Sequence, residues 1–400
     1  MKRSEQCSSS ISPRLAVVAA MFFLLATAVA AYAQTFTVLH NFTGGADGKY
    51  PFAGLTMDRA GNLYGTASDG GNSSCASGSG CGTVFRLQYR NSAWIFSILY
   101  TFNGTDGETP QARVIIGPDG NLYGTTTNGG SLGRGAAFRL QPPPTVCRAV
   151  SCPWAETVLH SFGSGSDGAY PQYGDLTFDP AGNIYGTTAY GGTNNCGTVY
   201  ELSPSNGAWT ETILYSFTCG ENNDYPYSGV IFDSAGNLYG TASGGEVGTG
   251  GVYKLTHTSS GWVESTIYTF DFPGGAYAGL ISDSAGNLYG ITFFDATVYE
   301  LSPSGNGWTY QQLYQLGDYG AVAPLTMDSA GNLYSTLVNE FPVEVFRLTP
   351  SDGQWTLTGF NGSAGYIPYS NVILDASGDL YATTTDGGAY EDGVVFQITP

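Results

Sequence analysis

One phrase, Gly-Asn-Leu-Tyr, recurs seven times, and this repeat restricts the possible folds more than any other feature of the chain. It begins at Gly61, Gly120, Gly182, Gly236, Gly286, Gly331 and Gly378, with Ile184 replacing Leu once and Asp379 replacing Asn once. Successive copies lie 59, 62, 54, 50, 45 and 47 residues apart. Each interval holds four short runs of alternating polarity bounded by Gly, Asn, Asp, Ser and Pro, the pattern of strands and turns. No long stretch places apolar residues at helical spacing. A drifting period of about 50 residues made of strands predicts propeller blades, not the short coils of a solenoid. It also explains how 400 residues avoid splitting into several domains.

Four strand phrases recur in order and are termed A to D. In the first unit A is Gly54 to Asp58, B is Asn62 to Thr66, C is Gly82 to Leu87, and D runs from Trp94 to Phe102. All six tryptophans, Trp94, Trp154, Trp209, Trp262, Trp308 and Trp355, open a D strand. Leu or Ile follows five residues later in the first five. One bulky ring per unit at a fixed register predicts packing between blades. The A-to-B turn is Asp-x-x-Gly-Asn, opened by Asp58, Asp179, Asp233, Asp283, Asp328 and Asp375, with Gly117 and a displaced Asp119 in the second unit. Asp accepts the turn amides and Gly supplies a positive φ, so each carboxylate is expected to serve its own hairpin.

Counting strands from both ends predicts how the ring closes. The chain finishes on a C strand, Val394 to Pro400, and opens after residue 33 on a D strand, Thr35 to Phe42. The last blade lacks a D strand and the first strand lacks a blade. Pairing the two yields an all-β, seven-bladed propeller over residues 34–400 and removes two open sheet edges. Phe36, Val38, Leu39 and Phe42 are the expected apolar contributors.

Residues 1–33 read as a secretory signal. Lys2, Arg3 and Arg14 precede an apolar run from Leu15 to Ala31, and Ala31-Tyr32-Ala33 is a small-x-small cleavage site. A retained anchor is the rival reading. Removing this segment leaves ten basic and 31 acidic residues, a net charge of −21. So acidic a surface excludes nucleic acid and anionic lipid as partners. A secreted or periplasmic monomer without an integral membrane domain is expected.

The six remaining cysteines are even in number, which favours disulfides in an exported chain. Loop topology pairs Cys75 with Cys81, Cys147 with Cys152, and Cys196 with Cys219. No zinc spacing is present.

Strand direction puts the D-to-A and B-to-C loops on one face, here called the top. These loops vary most, and variable loops on a rigid scaffold commonly bind ligands. Several carry Asp before an aromatic-Pro or Thr-Pro step: Asp47 with Tyr50, Asp106 with Thr109, Asp167 with Tyr170, and Asp224 with Tyr225. Blades five and six break the Gly-rich pattern with Phe293, Phe294, Asp295 and Phe341. From this set, Asp47, Asp106, Asp167, Asp224, Tyr50, Tyr170, Tyr225, Phe294 and Asp295 are the candidate ligand-binding residues. His40 and His160 share one D-strand register and read as half-buried structural groups. Catalytic residues are not identifiable, since neither a Ser/His/Asp set nor a nucleophile elbow is present. No cofactor is expected; Ca²⁺ suits the acidic charge, but no motif specifies it.

The unit Asp-x-x-Gly-Asn-Leu-Tyr-Gly-Thr, followed by a Gly-Gly loop, Gly-Thr-Val-Phe/Tyr-x-Leu and Trp-x-x-x-x-Leu-Tyr-x-Phe, resembles the GloVer (Gloeobacter–Verrucomicrobia) tandem repeat of exported bacterial proteins. The resemblance covers Gln34 to Pro400. It implies "choice-of-anchor" proteins with differing C-terminal sorting segments, and this chain ends at Pro400 without one. It transfers neither an activity nor functional residues. The Asp-Gly-Asn turn also resembles gluconolactonase and virginiamycin lyase propellers, at the turn alone. The expected function is therefore a binding or interaction scaffold for carbohydrate or a cell-surface protein. The alternative is a metal-assisted hydrolase or lyase with a top-face carboxylate site.

Overall fold

The computed structural model describes residues 34–75, 78–143, 154–220, 224–245, 249–271, 275, 277–305, 307–317, 320, 323–338, 343–362 and 365–400. Seven four-stranded antiparallel sheets form the blades of a β-propeller, and the described residues contain no helix. Six blades run A-B-C-D in sequence order. The seventh is assembled from Ile373–Leu374, Leu380–Thr384, Val394–Thr399 and the N-terminal strand Thr35–Asn41. The proposed signal segment, the Cys147 and Cys152 pair and Phe341 lie outside the described residues.

Ring closure follows the expected pairing. Phe36 sits opposite Ile398, Val38 opposite Phe396, and Asn41 opposite Val394. Alternation splits the apolar side chains of the closing strand between two interfaces. Phe36 and Val38 pack toward blade six with Phe360 and Phe396. Leu39 and Phe42 pack toward blade one with Phe85 and Leu87. Phe42 is fully buried.

The repeated phrases each perform a packing task. Asp58 accepts the backbone amides of Ala60 and Asn62, the Asn62 side-chain amide and the Tyr64 hydroxyl. Burial raises the pKa of this carboxyl, but these donors outweigh it and hold the group below its ordinary range. Blade two reaches nearly the same result from its displaced Asp119, which accepts from Asn121 and Tyr123. The tyrosine fixed in this way receives the next blade's tryptophan edge-on: Tyr64 meets Trp154, Tyr123 meets Trp209, Tyr239 meets Trp308, and Tyr381 meets Trp94 across the closure. The threonine ending strand B bonds to the next blade's inner backbone. Thr187 donates to Ser228 O at 2.7 Å, Thr241 to Ala278 O at 2.9 Å, and Thr383 to Ala53 O at 3.1 Å, the last of these completing the ring.

The Leu or Ile five residues after each Trp also has a structural cause. In blades one to five the C–D register skips that residue: Val84 pairs with Tyr100 and Phe85 with Ile98, leaving Leu99 as a bulge. The same shift omits Leu159, Leu214, Ile267 and Leu313. A bulge turns the extra side chain inward and tightens the local twist. Blade six has Phe360 at this position, pairs it directly with Val345, and forms no bulge.

Candidate functional site

The loop residues singled out from sequence stand apart from one another and brace the scaffold. Asp47 binds His40 at 3.1 Å and also accepts from the Thr43 amide and hydroxyl. Asp106 accepts from Tyr100 and Asn103. Asp167 accepts from His160, Gly163 N and Gly168 N. Asp224 is buried and accepts from Gly220 N. Each closes its own D-to-A loop, and the four belong to four different blade junctions. Asp295 likewise accepts the hydroxyls of Thr292 and Thr297 in its own loop.

Tyr50, Tyr170 and Tyr225 precede prolines and have φ of 54°, 57° and 55°. Thr109 and Ile367, also before prolines, share this left-handed backbone. Proline normally disfavours it in the preceding residue. The amides of four of these five residues reach back to the preceding blade: Tyr50 N donates to Asp392 O, Thr109 N to Cys81 O, Tyr170 N to Arg134 O, and Tyr225 N to Cys196 O. The strained step is thus a repeated wedge between blades.

Two disulfides secure this face. Cys75–Cys81 closes a B-to-C loop, and Cys196–Cys219 links the two ends of the C–D hairpin in blade three.

A different set of residues converges at the channel. The sixth residue before each A-to-B turn leads into the innermost strand at the top of the channel. These residues are Phe52, Gln111, Tyr173, Tyr227, Tyr277 and Tyr369 among the described blades. Phe52 lies between Tyr369, at 4.3 Å and 10° between ring planes, and Tyr173, at 5.2 Å and 19°. The series continues through Tyr227, 6.2 Å from Tyr173, to Tyr277 at 5.1 Å, then Phe293 at 4.8 Å and Phe294 at 4.9 Å. These rings form one aromatic cap across the mouth. All are half-buried except Phe294, which is 59% exposed. Burial, then the neighbouring phenols, raise the pKa of Tyr173 and Tyr277, so both hydroxyls stay neutral at physiological pH. Burial chiefly does the same for Tyr227 and Tyr369.

Beneath the cap the channel holds a cavity of about 400 Å³. Gly279, at the register of Arg113 and Asp175, leaves room in it, whereas Gly229 at the same register lies against the backbone of Asp175. Among the described residues its only lining carboxylate is Asp175. Arg113 donates to Asp175 from Nε at 3.0 Å and lies 2.7 Å away through Nη2, and its backbone amide also donates. Among the described residues, one group presents three metal-ligand atoms within 4.8 Å of one another: His160, Asp167 and Glu211. It lies at the outer part of the ring, between blades two and three.

The sequence pattern singled out Phe293 and Phe294 on a top-face loop, with Phe294 as a candidate, but not Phe52, Tyr173, Tyr227, Tyr277 or Tyr369. The usable signal was the fixed six-residue offset from the turn aspartate, which lies outside the variable Tyr-Pro steps that drew attention.

The profile of the Gloeobacter/Verrucomicrobia repeat matches residues 26–152 and 76–295. The chain belongs to the Gloeobacter/Verrucomicrobia repeat family. No curated protein matches it in sequence. Solved structures similar to this family member include a fungal alcohol oxidase in complex with copper, at 15% identity and TM-score 0.54, covering 88% of this chain and 74% of that one. An ulvan lyase bound to a GlcA–Rha3S saccharide is 10% identical with TM-score 0.52, covering 88% and 94%. A putative 6-phosphogluconolactonase from Bacteroides uniformis is 13% identical with TM-score 0.50, covering 79% and 95%. Such neighbours share the propeller fold with this repeat protein. Among the described residues no helix is long and apolar enough to cross a membrane.

Proposed function

We propose that this Gloeobacter/Verrucomicrobia repeat protein is an exported carbohydrate-binding scaffold, cleaved after Ala33, whose recognition surface is the aromatic cap of the channel mouth. The cap itself carries the reading. Rings from five blades meet at one mouth although no sheet requires them to touch, and the tyrosine hydroxyls stay neutral. A sugar ring has an apolar C–H face and a hydroxyl rim, and half-buried tyrosines match both with few rotatable bonds. Phe294 supplies an exposed ring at one end. The braced Asp47, Asp106, Asp167 and Asp224 loops, with Tyr50, Tyr170 and Tyr225, hold the rim that frames the cap. Asp295 fixes the loop that carries Phe294.

Two disulfides fit an oxidising compartment and support export. A hydrolase or lyase reading requires converging carboxylates. Asp175, the single carboxylate lining the described channel, is occupied by Arg113, so the geometry favours binding. A glycan and cell-wall polysaccharide array with the mature chain tests the proposal. Saccharide binding that Tyr277→Ala abolishes and Ile95→Ala, on an exposed outer strand, leaves intact supports it. A blank array, or binding indifferent to Tyr277, overturns it.

A further inference from the structure

The junctions between neighbouring D strands compare one position across the ring. At the closure, His40 binds Asp47 and lies flat on Phe96 of the next blade, with ring centroids 3.8 Å apart. Between blades one and two, Tyr100 binds Asp106. Between blades two and three, His160 Nε2 lies 3.2 Å from Asp167 Oδ1 and 3.7 Å from Glu211 Oε2. Of these three junctions, this one alone combines an imidazole with two carboxylates.

Three further features distinguish the group from a simple interblade clamp. First, a tetrahedral site with bonds of about 2.0–2.1 Å sets its ligand atoms about 3.3 Å apart, close to the two separations found here. Second, Glu211 Oε1 is buried with no hydrogen-bond partner, while the other oxygen points at a second carboxylate and a shared imidazole. Two carboxylates converge on one imidazole in a half-buried crevice, a donor set that a divalent cation can bridge. Third, Asp167 is already oriented by two backbone amides, Gly163 N at 2.6 Å and Gly168 N at 2.8 Å. Outer partners of this kind aim a carboxylate at a metal.

We infer that His160, Asp167 and Glu211 form a divalent transition-metal site that ties blade two to blade three. One imidazole with two carboxylates suits Zn²⁺ and disfavours Ca²⁺, which prefers an all-oxygen cage of six to eight ligands. The site takes residues from strand Ala155–Ser161, the loop after it and strand Ala208–Ser216. Bound metal therefore crosslinks neighbouring blades. It lies away from the aromatic cap and does not depend on what the cap binds.

The test uses tag-free mature protein stripped with chelator, then titrated with Zn²⁺ or Ca²⁺. Calorimetry is expected to show one Zn²⁺ per chain. At a hundredfold excess over Kd, Zn²⁺ is expected to raise Tm by about 3–5 °C. Glu211→Gln and His160→Phe are expected to remain folded, each binding Zn²⁺ at least tenfold more weakly and losing the Tm rise. The closure junction serves as the internal control, and Phe96→Leu is expected to keep full Zn²⁺ binding. Absence of Zn²⁺ binding by the stripped wild type, equal binding by the folded variants, or preference for Ca²⁺ would overturn the site.

Discussion

One small-residue and ring pairing recurs seven times where strand B pairs with strand C, and its variation predicts a coupled pair of mutations. Tyr200, Tyr253 and Tyr299 occupy a position taken by Phe85, Phe138, Phe346 and Phe396 in the other blades, each aligned with Gly186, Gly240, Gly290, Gly65, Gly124, Ser335 or Ala382. The three tyrosine hydroxyls are fully buried without a hydrogen-bond partner. A Cβ on Gly240 would lie 2.5 Å from Tyr253 Cζ and closer still to the hydroxyl. Gly240 is outside the left-handed region, so its backbone accepts alanine.

Gly240→Ala alone therefore overpacks the site. The cost is about 1–3 kcal/mol, offset in part by about 0.5–1 kcal/mol of chain entropy. Tyr253→Phe removes an unpaired hydroxyl and stabilises by about 1 kcal/mol. Phenylalanine keeps Cζ but, without the hydroxyl, the ring can shift into the vacated space, so the double variant can take up the Ala382–Phe396 arrangement of blade seven and is expected to match or exceed the wild type. Equilibrium urea unfolding of the four proteins gives the coupling energy, expected near 2 kcal/mol. Effects that add within about 0.5 kcal/mol would refute the steric account.

Ring closure and one half-buried acid supply further expectations. A chain starting at Gly44 loses the fully buried Phe42 and the half-buried Phe36, Val38 and Leu39, and uncovers the edge of strand Val394–Thr399. The loss is roughly 3–9 kcal/mol against a typical domain stability of about 5–15, so it is expected to melt far lower or aggregate; an unchanged Tm would contradict the closure model. Burial, then the nearby Asp106, push Glu156 up to about 7. Its folded pKa lies above its unfolded one, so the folded state is penalised as pH rises from about 4.3 through 7. Glu156→Gln is expected to equal the wild type at pH 4. Above pH 7 it is expected to be about 1–2 kcal/mol more stable, after discounting for partial exposure. Parallel unfolding curves at both pH values check the sign.

The architecture was legible because its causes are local and repeated. Each Asp58-type turn, each Trp94-type anchor and the unmatched strand at Thr35 can be read without knowing what lies across the ring. The Cys196–Cys219 bridge followed from strand direction alone. The aromatic cap was not legible in this way. Phe52 and Tyr173 stack although 121 positions and a whole blade separate them. Only ring geometry brings them together. The Tyr50-type steps drew attention because an aromatic before proline is conspicuous, yet their backbone amides join blades. Glu211 was also missed, because alternation in an outer strand does not show which neighbouring loop it will meet.

Recognition at the mouth of the channel is decided by titration calorimetry with the best saccharide from the array, on the mature wild type, Tyr227→Ala and Ile95→Ala. Tyr227→Ala is expected to bind at least tenfold more weakly, while Ile95→Ala binds as the wild type does. Equal affinity in Tyr227→Ala and the wild type, with both proteins fully folded, would contradict it.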